Sequence, residues 1–222
     1  MELDLVEEIV PLQERELSIL RPRSSEALLD EEAFEHEEFL PYWAELWPSG
    51  VALARTLSGR ALRGARTLEL GCGLALPSIA AALSGGRVLA TDWSPDALEL
   101  AGLNAARNGV SLELMRCSWA EAGPIVERGP WDLVLAGDVL YERRNVEQLL
   151  ALLPRLVDEG EVLLADPGRP HARSFLEQAA CGWGVEKSDR ETVPIHRLRL
   201  GSDDEDRRSD TDALEEPVRL GA

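Results

Sequence analysis

The sequence predicts an α/β fold: an open, doubly wound, mostly parallel sheet of seven strands, with helices on both faces and a C-terminal antiparallel hairpin. Three observations predict it. From Ala65 onward, short apolar runs alternate with helical stretches, the rhythm of consecutive β-α units. The first unit carries a glycine bend, Gly71-Cys72-Gly73, directly after its apolar run. The last two runs follow one another with no long helix between them, as an edge hairpin requires.

Each element has its own signal. Residues 14–20 alternate loosely before Arg21-Pro22 and predict a short strand; residues 25–39 predict an acidic helix opened by Ser24 or Ser25. Together they form an acidic N-terminal extension, residues 1–40. Tyr42, Trp43 and Trp47 then cluster around Pro41 and Pro48, ahead of a helix over 51–58. Aromatic side chains beside a proline break pack into a core or a lid, and Trp47 is in addition a candidate ligand contact. Strands follow at 67–70, 87–91, 112–116, 133–136 and 162–165, with helices at 76–83, 94–108 and 145–157. The second of these helices is the best bounded. Ser94 is its N-cap, Pro95 its first residue, Asp96 lies in its first turn, and Gly109 stops it. A helix over 171–180 precedes the final strands at 185–188 and 195–200. Residues 201–222 are charged and lack aromatic residues, which predicts a disordered acidic tail. The folded domain is expected at 41–200.

The residues of the first unit point to chemistry. Two glycines allow a tight turn and a close approach of backbone to ligand. Asp92 closes the next strand nineteen residues after Gly73, where a carboxylate can accept hydrogen bonds from both hydroxyls of a ribose. Dinucleotides and S-adenosylmethionine both fit that outline. The third glycine of a dinucleotide fingerprint is replaced by Leu76-Pro77; a pyrophosphate on a helix N-terminus needs that close approach, whereas a methionyl group does not. Glu69, just before the bend, can bond the ligand's ammonium or a nearby amide.

At these residues the chain resembles the class I, seven-β-strand methyltransferases, whose first motif is close to Leu68-Glu69-Leu70-Gly71-Cys72-Gly73. The resemblance implies a Rossmann-like fold with S-adenosyl-L-methionine as cofactor. It places Trp93 beside the ribose carboxylate and the segment after the third strand, Cys117-Ser118-Trp119, against the adenine. Trp119 would stack on the purine, or else pack in the core; Ser118 stands where relatives carry an aspartate and is a weaker acceptor for the adenine amine. Asp138-Val139-Leu140-Tyr141 matches the Asp-x-x-Tyr signature of the methyltransferase-like, non-histone protein lysine methyltransferases, and Trp47-Pro48 matches a loop motif of that group. Within the group the nearest likeness is to the electron transfer flavoprotein beta-subunit lysine methyltransferases, through Ala136-Gly137-Asp138-Val139 and Asp166-Pro167-Gly168-Arg169. Asp138 and Tyr141 are accordingly the catalytic candidates, the first orienting a lysine amine, the second closing its channel; Asp138 is a candidate cofactor contact as well. Arg169 holds a substrate carboxylate or pairs with Asp166.

Composition narrows the alternatives. The net charge of −18 resides mostly at the ends, with 13 acids and 3 bases in residues 1–40 and 8 acids and 3 bases in residues 201–222. A chain without a basic face is a poor nucleic-acid binder; acidic ends confer solubility or attract a basic protein. Three cysteines without metal-ligand spacing suggest neither a disulfide framework nor a metal site. With no basic leader and no membrane-length apolar run, a cytoplasmic location is expected. His36, His171 and His196 have no partners at catalytic spacing. Rival readings are a small-molecule methyltransferase, an NAD-dependent oxidoreductase and a binding module without turnover; fold alone does not name the acceptor.

Overall fold

A computed structural model describes residues 4–25, 28 and 41–201. The acidic helix expected over 25–39 and the tail expected over 201–222 fall almost wholly outside the described residues.

Strands β1 (Leu5–Pro11) and β2 (Glu16–Pro22) form an antiparallel hairpin. The sequence pattern predicted the second of these alone; β1 carries two glutamates, Glu7 and Glu8, that interrupt its apolar alternation. After a short 3-10 turn, Tyr42–Ala44, come α1 (Pro48–Ser58), β3 (Arg66–Leu70), α2 (Leu76–Leu83), β4 (Arg87–Asp92), α3 (Pro95–Arg107) and β5 (Glu113–Arg116). The remainder is α4 (Gly123–Glu127), β6 (Leu133–Gly137), α5 (Arg143–Leu152), β7 (Glu161–Ala165), α6 (Pro170–Ala179), β8 (Trp183–Ser188) and β9 (Ile195–Leu200). Helix α4 has no counterpart in the sequence reading. The helix expected to reach residue 157 stops at Leu152 and tightens into a 3-10 turn, Leu153–Arg155, because Pro154 has no N–H for the α-helical ladder.

Seven strands form one sheet in the order β5-β4-β3-β6-β7-β9-β8. The five that precede the C-terminal hairpin run parallel; β9 is antiparallel to both β7 and β8. The predicted fold class is therefore observed, hairpin included. Each central strand is buried on both faces, and neighbours in sequence point to opposite sides. Leu133, Leu135 and Leu163 pack with Leu53 and Ile79 on one side, whereas Val134, Ala136 and Leu164 pack with Leu149 and Phe175 on the other.

Two asparagines fasten the N-terminal hairpin to α3. Asn104 accepts the Leu20 amide at 2.7 Å and donates to the Leu20 carbonyl at 3.1 Å; Asn108 accepts the Ser18 amide at 3.0 Å and donates to its carbonyl at 2.8 Å. Four residues along a helix advance about 6 Å and two along a strand about 6.6 Å, so an i, i+4 pair of carboxamides can serve alternate residues of β2 as a third strand would. Val10, Leu17 and Ile19 join the core in consequence.

Candidate active site

Strand order reverses direction at β3: β4 and β5 lie to one side of it, β6 and β7 to the other. Such a switch point leaves a crevice at the carboxyl ends of the strands. There the chain encloses a cavity of about 700 Å³, a volume typical of small-molecule sites. All ten residues singled out from the sequence line it.

The first wall is the bend after β3. Gly71 and Gly73 have φ of +66° and +49°, and a Cβ on Gly73 would stand 3.1 Å from the Trp43 carbonyl oxygen. Glycine is required by backbone geometry and by the loop that precedes α1. Asp92, at the end of β4, accepts the Gly73 amide at 2.9 Å and the Ser94 amide at 3.0 Å; its carboxylate thus shapes the bend while lining the cavity. Glu69, 2 % exposed, accepts the Ser78 amide at 2.9 Å and also the Ser78 hydroxyl. This is the nearby-amide alternative of the sequence reading. Burial pushes the Glu69 carboxyl up to about 8, against the two Ser78 hydrogen bonds. Burial likewise raises Asp92, and it raises the Cys72 thiol far above its ordinary value.

The second wall follows β4 and β5. Trp93 and Ser118 are exposed, and Trp119 is half-buried, its ring 3.6 Å from where a Gly71 Cβ would sit. Trp119 therefore stands over the glycine bend and presents a face to the cavity while its body touches core residues.

The third wall follows β6 and β7. Asp138 has φ of +58°, the left-handed region that aspartate tolerates better than most residues. Its Oδ2 accepts the Ser49 amide at 3.3 Å, and its Oδ1 is paired with the Arg169 guanidinium. Arg169 also lies 3.4 Å from Asp166 Oδ2, with its guanidinium carbon 5.8 Å from the Trp47 ring centroid. The sequence reading offered Asp166 as a partner; the tighter one, Asp138, lies 31 residues away and had no signal in the local pattern. Trp47 is held by its Nε1, which donates to the Tyr42 carbonyl at 2.7 Å. Tyr42 in turn meets Tyr141, ring centroids 5.4 Å apart and tilted. Tyr42 and Tyr141 are both exposed and form an aromatic rim at the mouth. Tyr42 was legible as a member of the Pro41–Gly50 aromatic cluster, though not as a site residue. Among the described residues no group of three or more His, Cys, Asp or Glu side chains is placed to hold a metal ion.

A family model described as lysine methyltransferase matches residues 36–179. The chain belongs to this lysine methyltransferase family. Its relatives include the electron transfer flavoprotein beta subunit lysine methyltransferase of Xenopus laevis, 38% identical over 136 residues that cover 58% of this chain and 53% of the relative. The histone-arginine methyltransferase METTL23 of Xenopus laevis is 32% identical over 123 residues, 53% of each chain. This family member thus spans about half the length of the curated relatives it matches. Among solved structures, the ribosomal protein L11 methylase of Lactobacillus delbrueckii subsp. bulgaricus superposes with a TM-score of 0.56 at 24% identity, covering 68% of this chain and 77% of that one. SMU.776, solved complexed with SAH, gives 0.62 at 10% identity, covering 90% of this chain and 57% of that one. At those identities the likeness carries the fold alone.

Proposed function

We propose that this chain is an S-adenosylmethionine-dependent N-methyltransferase that methylates a lysine side chain of a protein. The observation that carries the reading is one cavity with two chemistries. A glycine bend with a buried strand-end carboxylate forms one wall, and Asp138 with an aromatic rim forms another. Family membership and the named activities of the relatives support it.

The donor set fits the cofactor. Asp92 would hold the ribose, the Gly71–Gly73 backbone the methionyl end, with Glu69 bracing the start of the following helix through Ser78, and Trp93, Ser118 and Trp119 the adenine. When bound, S-adenosylmethionine supplies a methyl group carried on a sulfonium. Asp138, supported by the Ser49 amide, orients the acceptor nitrogen. The Asp138 carboxylate holds the acceptor as an ammonium; an amine presents its lone pair only after losing a proton to water, which a sulfonium beside it would favour. Tyr141 and Tyr42 narrow the mouth and limit water. The activity is assigned to residues 41–200, with the hairpin of β1 and β2 buttressing α3.

The partner is a protein lysine, with neither nucleic acid nor membrane involved. The acidic balance supports the first exclusion. No helix among the described residues is long and apolar enough to cross a membrane. Cys72, Cys117 and Cys181 are all free.

Incubating the protein with cell extract and methyl-labelled S-adenosylmethionine tests the assignment. Label recovered from protein as methyl-lysine is expected; methyl-arginine would favour the activity named for METTL23, and label confined to small molecules would overturn protein methylation. In parallel, S-adenosylhomocysteine should raise the melting temperature. Stabilisation by NAD alone would transfer the chain to the oxidoreductases.

A further inference from the structure

Where β6 and β7 end, two carboxylates and an indole face surround one guanidinium. The side chains of Asp138 and Asp166 are 6% and 2% exposed, whereas that of Arg169 is 27% exposed and faces the cavity. Each wall of this seat is held independently of the Arg169 side chain. Asp166 Oδ1 accepts the amides of Gly168 and Arg169, both at 2.8 Å. Asp138 Oδ2 accepts the Ser49 amide, and Trp47 is tied to Tyr42 through its Nε1. The fully buried Ser49 hydroxyl, on the residue whose amide reaches Asp138, has no hydrogen-bond partner among the described residues. The seat is therefore held without the guanidinium, which is carried on a long, partly exposed side chain at the N-terminal boundary of α6.

We propose that this seat receives the acceptor's cationic side chain and that Arg169 is its internal occupant, displaced when the acceptor enters. The inference rests on the methyltransferase reading above and names how that site selects its acceptor. Two buried carboxylates and one aromatic face accommodate a single cation. A second cation at contact distance from the first would be repelled, so entry is an exchange. A neutral acceptor that displaced Arg169 would leave Asp138 and Asp166 buried without a countercharge, and it is rejected for that reason. A lysine ammonium or an arginine guanidinium restores the balance.

The test uses n-butylammonium, the side chain of lysine without its backbone, titrated calorimetrically into the full chain. Arg169→Gln should bind it at least tenfold more tightly than the unaltered protein, and the further change Asp138→Asn should remove that gain. Arg169→Lys, which keeps a cation in place, should bind it no better than the unaltered protein. Equal affinity in Arg169→Gln and the unaltered protein overturns the exchange, as does an equal gain for neutral 1-pentanol. If Arg169→Gln does not fold, nitrogen-15 spectra of the unaltered protein decide: n-butylammonium must move the Arg169 Nε resonance in a saturable way, and an unmoved resonance rejects the proposal. S-adenosylhomocysteine melting shifts on the same samples separate the two readings. Stabilisation without exchange overturns this inference alone; no stabilisation overturns the methyltransferase reading instead.

Discussion

A carboxyl group as deep as that of Glu69 keeps its proton at neutral pH. Both Ser78 bonds go to Oε2, which leaves Oε1 to carry it. The ordinary value is 4.5 and the folded value about 8, so the unfolded chain loses this proton first. The stability that Glu69 contributes is fully present below about pH 4.5 and is lost as pH rises through about 8, by on the order of a few kcal/mol. Glu69→Gln removes the titration. Its melting temperature relative to the unaltered protein should rise by several degrees between pH 5.5 and pH 8.5, and an offset independent of pH would rule out the buried proton. Asp138 belongs to the same scale. Asn fits its left-handed backbone but cannot match its charge, so Asp138→Asn should lower methyl transfer at least a hundredfold while the melting shift with S-adenosylhomocysteine stays within about a degree; retained turnover would remove Asp138 from the mechanism. Gly71, Gly73, Asp92 and Asp138 were legible because each stands at the end of an apolar run, where local pattern and strand polarity together point to the crevice. Arg169 was legible as a residue and illegible as a contact, since nothing near it in sequence names Asp138.

Helix α3 shows how much an element can do beyond its own boundaries. Its limits were readable: Ser94 caps it by accepting the Ala97 amide at 3.3 Å, and Asn108 closes it before Gly109. Its second task was not, because Asn104 and Asn108 read as ordinary polar helix residues until β2 lies beside them. Asn104 is fully buried and also donates to the Leu74 carbonyl at 3.3 Å, so one side chain joins the hairpin, α3 and the segment after the glycine bend. Asn104→Ala leaves two carbonyls and an amide without partners and should cost about 2–4 kcal/mol, whereas Asn108→Ala, at a half-buried position, should cost about 1 kcal/mol. Denaturant midpoints give the two costs. Hydrogen exchange at the Leu20 and Ser18 amides should accelerate selectively in the matching variant, and uniform acceleration across the chain would show that the asparagines do not act locally.

Over the whole molecule the two edges of the sheet carry different work. The carboxyl edge holds the cavity; the opposite edge holds Glu161, 6 % exposed at the start of β7 and paired with Arg60, Arg197 and Arg199. Burial raises the pKa of Glu161, and the three guanidinium groups outweigh it, so the net displacement is downward. Its contribution is therefore present above the ordinary carboxylate value of 4.5 and is lost as pH falls through the folded value. Glu161→Gln should destabilise the chain by about 1–2 kcal/mol at pH 7, discounted for the exposure of the arginines. That gap should narrow as pH falls below 4.5 and close once the folded-state carboxylate is protonated, and affinity for S-adenosylhomocysteine should not change. A gap that persists in acid would deny the ion pairs their part. Local order was the sequence's own: the β-α rhythm, the glycine bend, the strand-end acids and the C-terminal hairpin all follow from hydrophobic period and turn chemistry, which act between neighbours. Tertiary structure alone decided that Arg169 sits on Asp138, that Tyr42 meets Tyr141, and that two asparagines stand in for a strand. These pairings join residues distant along the chain, and their energies exist only once the sheet has brought them together.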